Sequence, residues 1–207
     1  MENIILLGSK SKSRQRLLSE ASIPFKIIEQ SVDETILDWN LPLNDLVESI
    51  AVYKMEHIIL PMGANENETI FVLTADTLGL DSNGNINGKP KDKADAISKI
   101  KSYRNGAETG TAFCLDKKIW KNNNWVLDSR IIRFVSAKYL FYVPDNWIER
   151  YLQLSIAAGI HYSQVSGAVA IEEFGAQFLK TVEGSYTAIV GLPMYELRES
   201  LEELKFW

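Results

Sequence analysis

The stretch Ile4-Ile5-Leu6-Leu7-Gly8-Ser9-Lys10-Ser11-Lys12-Ser13-Arg14-Gln15-Arg16-Leu17-Leu18-Ser19-Glu20-Ala21 decides the fold class. Ile4 to Gly8 is a short apolar run that reads as a buried strand. From Ser11 to Ala21 the spacing becomes that of a helix, capped by serine, with Leu17, Leu18 and Ala21 facing inward. A strand that ends in glycine and serines and feeds a helix aims backbone N–H groups and the helix N-terminus at one point, a geometry that holds phosphate oxygens. Gly8 is expected to let the chain turn. Ser9 and Ser11 offer hydroxyls, and Arg14 adds a bidentate donor one turn into the helix. A capped surface helix with solvated basic residues explains the same pattern, and the stretch alone does not separate the two.

Outward from this unit the elements alternate. Phe25 to Ile28 reads as a second strand. Asn44 and Asp45 open a helix running to about Leu60, with an apolar stripe at Val47, Ile50, Ala51 and Ile58 that encloses Lys54. Ile70 to Leu80 is nearly continuous apolar sequence, as in a strand covered on both faces, and Asp92 begins a helix with Ala96, Ile97 and Ile100 inward. Glu108 to Asp116 and Trp125 to Val143 read as two long strands joined across Asn122, Asn123 and Asn124, which suits a hairpin. Pro144 to Leu154 and Pro193 to Leu204 read as helices with proline near the first turn. The expectation is an α/β fold, a single domain over residues 1–207 with a mixed, elongated central β-sheet flanked by helices.

Composition sets bounds on function. With 207 residues, 46% of them hydrophobic, the chain can bury one good core. It has no apolar run of the roughly 18 residues that span a bilayer, and Ile4 to Leu7 is too short for a signal-peptide core, so a cytoplasmic protein without a membrane partner is expected. The one cysteine, Cys114, lies in an apolar run and reads as a buried structural thiol. A formal charge of −5 argues against a protein that coats a nucleic-acid polymer, because that task needs a basic surface. A small anionic ligand remains open, since Lys10, Lys12, Arg14 and Arg16 cluster in one segment and Lys89, Lys91 and Lys93 in another.

Several side chains carry candidate chemistry. Asp76, in Thr74-Ala75-Asp76-Thr77, sits in the most apolar strand, where a carboxylate costs several kcal/mol unless a cation or enough donors meet it. Its alternatives are a functional group or a loop cap. Lys54 poses the opposite case, an ammonium that either snorkels to solvent or meets an anion. Asp33 and Glu34 form an acidic pair near a turn, and Gly88-Lys89-Pro90 places a lysine between a strand and a helix. Asp81, Asn83 and Asn85 imitate the start of an EF-hand loop, but Ile86 stands where glycine is required. Gly84 to Lys89 is one residue short of a phosphate-binding P-loop. His57 and His161 have no partner at metal-ligand spacing.

Taken in order, these segments resemble the Maf family of nucleotide pyrophosphatases, within the inosine-triphosphatase-like superfamily. Leu7-Gly8-Ser9-Lys10-Ser11-Lys12-Ser13-Arg14 with Leu17-Leu18 is similar to the family's L-A-S-x-S-P-R-R-x-x-L-L. Val32-Asp33-Glu34 matches V-D-E, Lys54 the family's helix lysine, Ala75-Asp76-Thr77 its A-D-T, and Gly88-Lys89-Pro90 its G-K-P. Thr109-Gly110 matches T-G, and Gly184-Ser185-Tyr186 with Val190-Gly191-Leu192-Pro193 matches the closing G-S-Y and V-G-L-P. Lys12 and Ser13 replace the family's proline and first arginine. Val165-Ser166-Gly167-Ala168-Val169-Ala170-Ile171-Glu172 departs from the usual K-A-G-x-Y-x-I-Q.

The resemblance implies cleavage of a nucleoside triphosphate between its α- and β-phosphates to give the monophosphate and pyrophosphate, with Mg²⁺ or Mn²⁺ as cofactor. It implies that Glu34 and Asp76 hold the metal and orient a water, Asp76 being the stronger general-base candidate. Arg14, Lys54 and Lys89 would neutralise phosphate charge, while Gly8, Ser9, Ser11, Arg14 and Thr77 bind substrate. Asp76-Thr77 resembles the branch acting on dTTP and UTP; modified nucleotides are the substrate alternative. A homodimer is also implied. The departures motivate a different class of function, a nucleotide-binding regulator of cell division or septum formation with little or no turnover.

Overall fold

In the computed structural model, residues 3–30, 32–33 and 36–207 are described. Strand β1 (Ile5–Leu7) is wholly buried and leads to helix α1 (Lys12–Glu20), capped by Ser11. Then follow β2 (Phe25–Ile27), α2 (Leu43–Glu56), β3 (Thr69–Asp81), β4 (Ile86–Asn87), α3 (Lys93–Ser102), β5 (Ala107–Lys121) and β6 (Asn124–Phe141). The chain closes with α4 (Ile148–Ala157), β7 (Leu179–Gly184), α5 (Tyr186–Val190) and α6 (Met194–Glu203). One seven-stranded sheet runs in the order β2-β1-β3-β5-β6-β7, with β4 on β3. β1 pairs parallel with β2 and β3, whereas β4 and β7 pair antiparallel with β3 and β6. The fold is therefore α/β on a mixed sheet, as the alternation of patterns predicts.

The described residues group into two compact units. One comprises residues 1–76, 112–134 and 191–207, the other 77–111 and 135–190. In the first, Ile5, Leu7, Leu18, Leu46, Ile50, Phe71, Leu73 and Phe113 are fully or almost fully buried, and Phe71 meets Phe206 edge to face at 5.0 Å. In the second, Phe141, Tyr151, Phe174 and Phe178 form an aromatic cluster. The Tyr151 hydroxyl takes the Ala170 N–H (2.7 Å) and donates to the Ala168 carbonyl (3.0 Å), fixing the segment after α4.

The structure corrects several boundaries. The helix expected to reach Leu60 stops at Glu56, because Ile58 pairs with Gln30 in an isolated bridge and the Ile59 N–H donates to the Glu29 carbonyl. Competition from this extended pairing ends α2, so Ile58 leaves the apolar stripe. The strand read as Glu108 to Asp116 continues to Lys121. Its polar end is carried by the ladder and by a two-residue turn at Asn122 and Asn123, both at positive φ, a conformation asparagine tolerates. The expected helix from Pro144 begins instead as a 3₁₀ turn, Asp145–Trp147, before α4. β4, β7 and α5 have no counterpart in the sequence reading. β7 is almost wholly exposed and gives no alternation to read; its pairing with β6 defines it.

Candidate active site

The first unit assembles a polar centre at the carboxyl end of β1. Gly8 does not adopt positive φ, so a left-handed backbone is not what calls for glycine here. A Cβ there would lie 2.5 Å from Ile58 Cδ1 and 3.0 Å from Thr74 Cγ2, so the missing side chain instead admits close packing. Ser9 follows, 5% exposed. Its oxygen accepts from the Ser11 N–H (3.3 Å) and from Arg14 Nη1 (3.1 Å). With two donors occupying the hydroxyl's lone pairs, what Ser9 retains for a ligand is its proton. Ser11 caps α1 by accepting from the Arg14 N–H at 3.4 Å.

Arg14 lies deeper than a helix-surface donor would. It is 8% exposed, and Nη1 also donates to the Ala75 carbonyl (3.0 Å) while Nε donates to the Gly191 carbonyl (2.7 Å). One guanidinium thus ties the Ser9 loop, the residue before Asp76, and the turn at Gly191, whose φ of 126° favours glycine. Lys10 and Lys12 are exposed at the start of α1.

β3 supplies Asp76 and α2 supplies Lys54, at 8% and 5% exposure, with Lys54 Nζ donating to Asp76 Oδ1 at 2.5 Å. The snorkelling alternative for Lys54 is thereby excluded. α2 is held to β3 directly: the Thr74 hydroxyl, two residues before Asp76 and on the same face, donates to the Ala51 carbonyl at 2.7 Å, about one turn before Lys54. Thr74 was not singled out in the sequence. Its signal is a hydroxyl inside a run of fully buried apolar residues, which must find an acceptor.

In the second unit, Thr77 is half-buried and its hydroxyl meets that of Thr111 at 2.8 Å, while the Thr111 hydroxyl donates to the Ala188 carbonyl at 2.7 Å. Lys89 is exposed in the connection from β4 to α3, and its carbonyl accepts from Lys99 Nζ at 3.3 Å. The Thr109 hydroxyl is buried against the Tyr139 hydroxyl at 2.9 Å. The Val165 to Glu172 segment turns at Gly167 (φ 63°), where a Cβ would enter the Tyr103 ring at 2.2 Å. Its Val169, Ala170 and Ile171 are buried. Ser166 links two strands, accepting from the Gly79 N–H (3.1 Å) and donating to the Asn87 carbonyl (2.6 Å).

Glu34 lies outside the described residues. Among the described residues no group of three or more His, Cys, Asp or Glu side chains is placed to hold a metal ion. The Asp81 cluster is a turn: its Oδ1 accepts from the N–H groups of Asn83 (2.9 Å) and Asn85 (3.0 Å). Burial pushes this carboxyl up, but those bonds offset it and hold it below the usual range. His57 is exposed, 2.9 Å from the Tyr53 carbonyl, and His161 caps Ser163. Cys114 is buried, and burial pushes its thiol up to about 12. No helix among the described residues is long and apolar enough to cross a membrane.

Residues 4–204 match the family model described as "Maf-like protein". The chain is 30% identical over 210 residues to the dTTP/UTP pyrophosphatase of Hydrogenovibrio crunogenus, covering 100% of this chain and 99% of that one. It is 33% identical over 203 residues to the dTTP/UTP pyrophosphatase of Geotalea uraniireducens, covering 97% and 94%. A nucleoside triphosphate pyrophosphatase of Ruegeria sp. is 30% identical over 211 residues, covering 97% and 96%.

Proposed function

The chain belongs to the Maf family, and from that premise we propose that it hydrolyses a nucleoside triphosphate to the monophosphate and pyrophosphate, with dTTP or UTP as substrate. The observation that carries this reading is the buried Lys54–Asp76 pair beside the Arg14-braced Ser9 loop. Among the described residues, the one bond to the Asp76 carboxylate comes from Lys54, so its second oxygen is available to accept from a water. A carboxylate in that position orients the water and takes its proton as the oxygen attacks phosphorus. Lys54 offers positive charge where negative charge develops. Ser9 donates its proton to a phosphate oxygen, Ser11 and the start of α1 add donors, and Lys10 and Lys12 supply solvent-side charge. Arg14 acts first as the brace of this loop. Lys89 is assigned to the departing pyrophosphate and Thr77 to the nucleoside.

The donor chemistry suits a hard divalent cation, Mg²⁺ or Mn²⁺. Asp76 offers carboxylate oxygen with no thiolate or imidazole beside it, and such ions commonly take one or two carboxylates plus substrate phosphates. Asp76, with Glu34, would hold the ion, which when bound supplies Lewis acidity toward the phosphate oxygens. A cytoplasmic homodimer completes the reading; the unpaired, buried Cys114 agrees with a reducing compartment. The test is incubation of the purified protein with a panel of nucleoside triphosphates and Mg²⁺ or Mn²⁺. Pyrophosphate plus monophosphate is the expected product pair. Orthophosphate without pyrophosphate, or no turnover of any triphosphate, overturns the reading and favours a non-hydrolytic nucleotide-binding regulator.

A further inference from the structure

Within the second unit, the connection that carries Lys89 has its backbone held on both sides. Three successive carbonyls each meet a donor: Asn87 takes the Ser166 hydroxyl (2.6 Å), Gly88 the Gly167 N–H (3.1 Å) and Lys89 the Lys99 ammonium (3.3 Å). Past the buried Pro90, the Lys91 N–H donates to Asp95 Oδ2 at 2.9 Å, the same oxygen that takes Lys99 Nζ at 2.9 Å. Ser166 is itself anchored, because its oxygen accepts from the Gly79 N–H of β3 at 3.1 Å. Its one proton goes to one strand and a lone pair to another, so the side chain is bonded as a joint. Ser166 stands where the family motif has alanine, so that motif does not encode the joint.

The ammonium of Lys89 is treated unlike its neighbours on α3. Lys93 pairs with Glu149 at 2.7 Å, Lys99 with Asp95 at 2.9 Å and Lys101 with Asp145 at 3.2 Å. Lys89 is exposed, and among the described residues its ammonium meets no carboxylate and no hydrogen-bond acceptor. A mobile loop must give up backbone freedom when its lysine meets an anion, whereas a loop already fixed has given up that freedom on folding. We propose that Ser166 and Lys99 are positioning residues that hold the Lys89 backbone, so that its unneutralised ammonium is presented to an inorganic polyphosphate, the pyrophosphate product. This inference rests on the assignment of Lys89 to the departing pyrophosphate.

The experiment is calorimetric titration of the full chain with inorganic pyrophosphate, in the wild type and in Lys89→Ala, Ser166→Ala, Ser166→Thr and Lys99→Gln, the last three also combined with Lys89→Ala. Lys89→Ala should weaken binding about tenfold, the loss of one charge-assisted bond. Ser166→Ala and Lys99→Gln should each weaken it about fivefold, and neither should weaken it further once Lys89 is alanine. Ser166→Thr keeps the hydroxyl and should bind as the wild type does. Wild-type affinity in Ser166→Ala overturns the proposal and leaves the assignment of Lys89 standing. A loss of the same size in the Lys89→Ala background, or a Ser166→Thr variant as weak as Ser166→Ala, overturns it too. If Ser166→Ala does not fold, Lys99→Gln decides by the same comparison with and without Lys89. Unchanged affinity in Lys89→Ala, or no binding by the wild type, overturns the assignment of Lys89 and the proposal with it. The titration involves no turnover, so failure to hydrolyse triphosphates is a separate result.

Discussion

Two buried carboxylates on strands of the first unit, Asp76 on β3 and Asp116 on β5, are treated very differently. Asp116 is fully buried and fully met: Arg130 Nε and Nη2 bind its two oxygens at 2.7 and 2.9 Å, and Lys118 Nζ lies 2.9 Å from Oδ2. Burial pushes this carboxyl up, yet the bonds from Arg130 and Lys118 more than offset it and hold it below the usual range. Among the described residues Asp76 has one cation, Lys54, on one oxygen, and it keeps 8% exposure. A carboxylate whose lone pairs are all used is a structural joint. One with a single partner and a path to solvent retains capacity for a ligand.

That contrast is open to breakage. Asp76→Asn should lower kcat by about 10² to 10⁴, the usual contribution of a positioned base, and leave the melting temperature close to that of the wild type. A melting temperature that collapses while activity per folded molecule survives would place Asp76 with Asp116. For Asp116→Ala the expectation is the reverse. Leaving Arg130 and Lys118 beside an emptied site should cost about 3 to 5 kcal/mol in a urea titration, with folded molecules retaining turnover. Because the folded pKa of Asp116 is depressed, its stabilisation is present above the unfolded value and disappears as pH falls through the folded one. The Asp116→Ala protein should therefore lose less further stability on acidification than the wild type does.

Thr74→Val sharpens the comparison by disturbing only how Lys54 reaches Asp76. Losing the bond to the Ala51 carbonyl should cost about 1 kcal/mol in stability and lower kcat, and Thr74→Ser should restore both. The smallest effect concerns Cys114, whose Sγ lies 3.7 Å from Asp116 Oδ1. With its thiol pushed up to about 12 by burial, it should resist iodoacetamide at pH 8 in the folded protein and react once urea unfolds it.

How much of this was legible in the sequence differs residue by residue. Asp76 announced itself because a lone carboxylate in an apolar strand is costly, and Lys54 because it interrupts a helical stripe. Asp116 was not singled out, since it closes the strand read from Glu108 and its main partner, Arg130, stands on the next strand. Gly8 reads as a turn residue, and the structure adds that its missing side chain admits Ile58 and Thr74. α2 was read too long because periodicity ignores a competing bridge to Gln30. β7 was missed because an exposed strand defined by its neighbour has no pattern of its own.

The sequence by itself determined the α/β alternation, the buried strand carrying Asp76, the serine-capped helix after β1 and, through ordered motifs, the family. These follow from local periodicity, from capping and from residue identity at fixed spacing. Only the tertiary structure decided that Arg14 braces carbonyls of Ala75 and Gly191, that Lys54 meets Asp76, and that Ser9 accepts twice and keeps its proton. The physical reason is that a hydrogen bond's direction and an ion pair's partner depend on groups far apart in the chain. A serine or threonine is both donor and acceptor until its neighbours in space assign it one role.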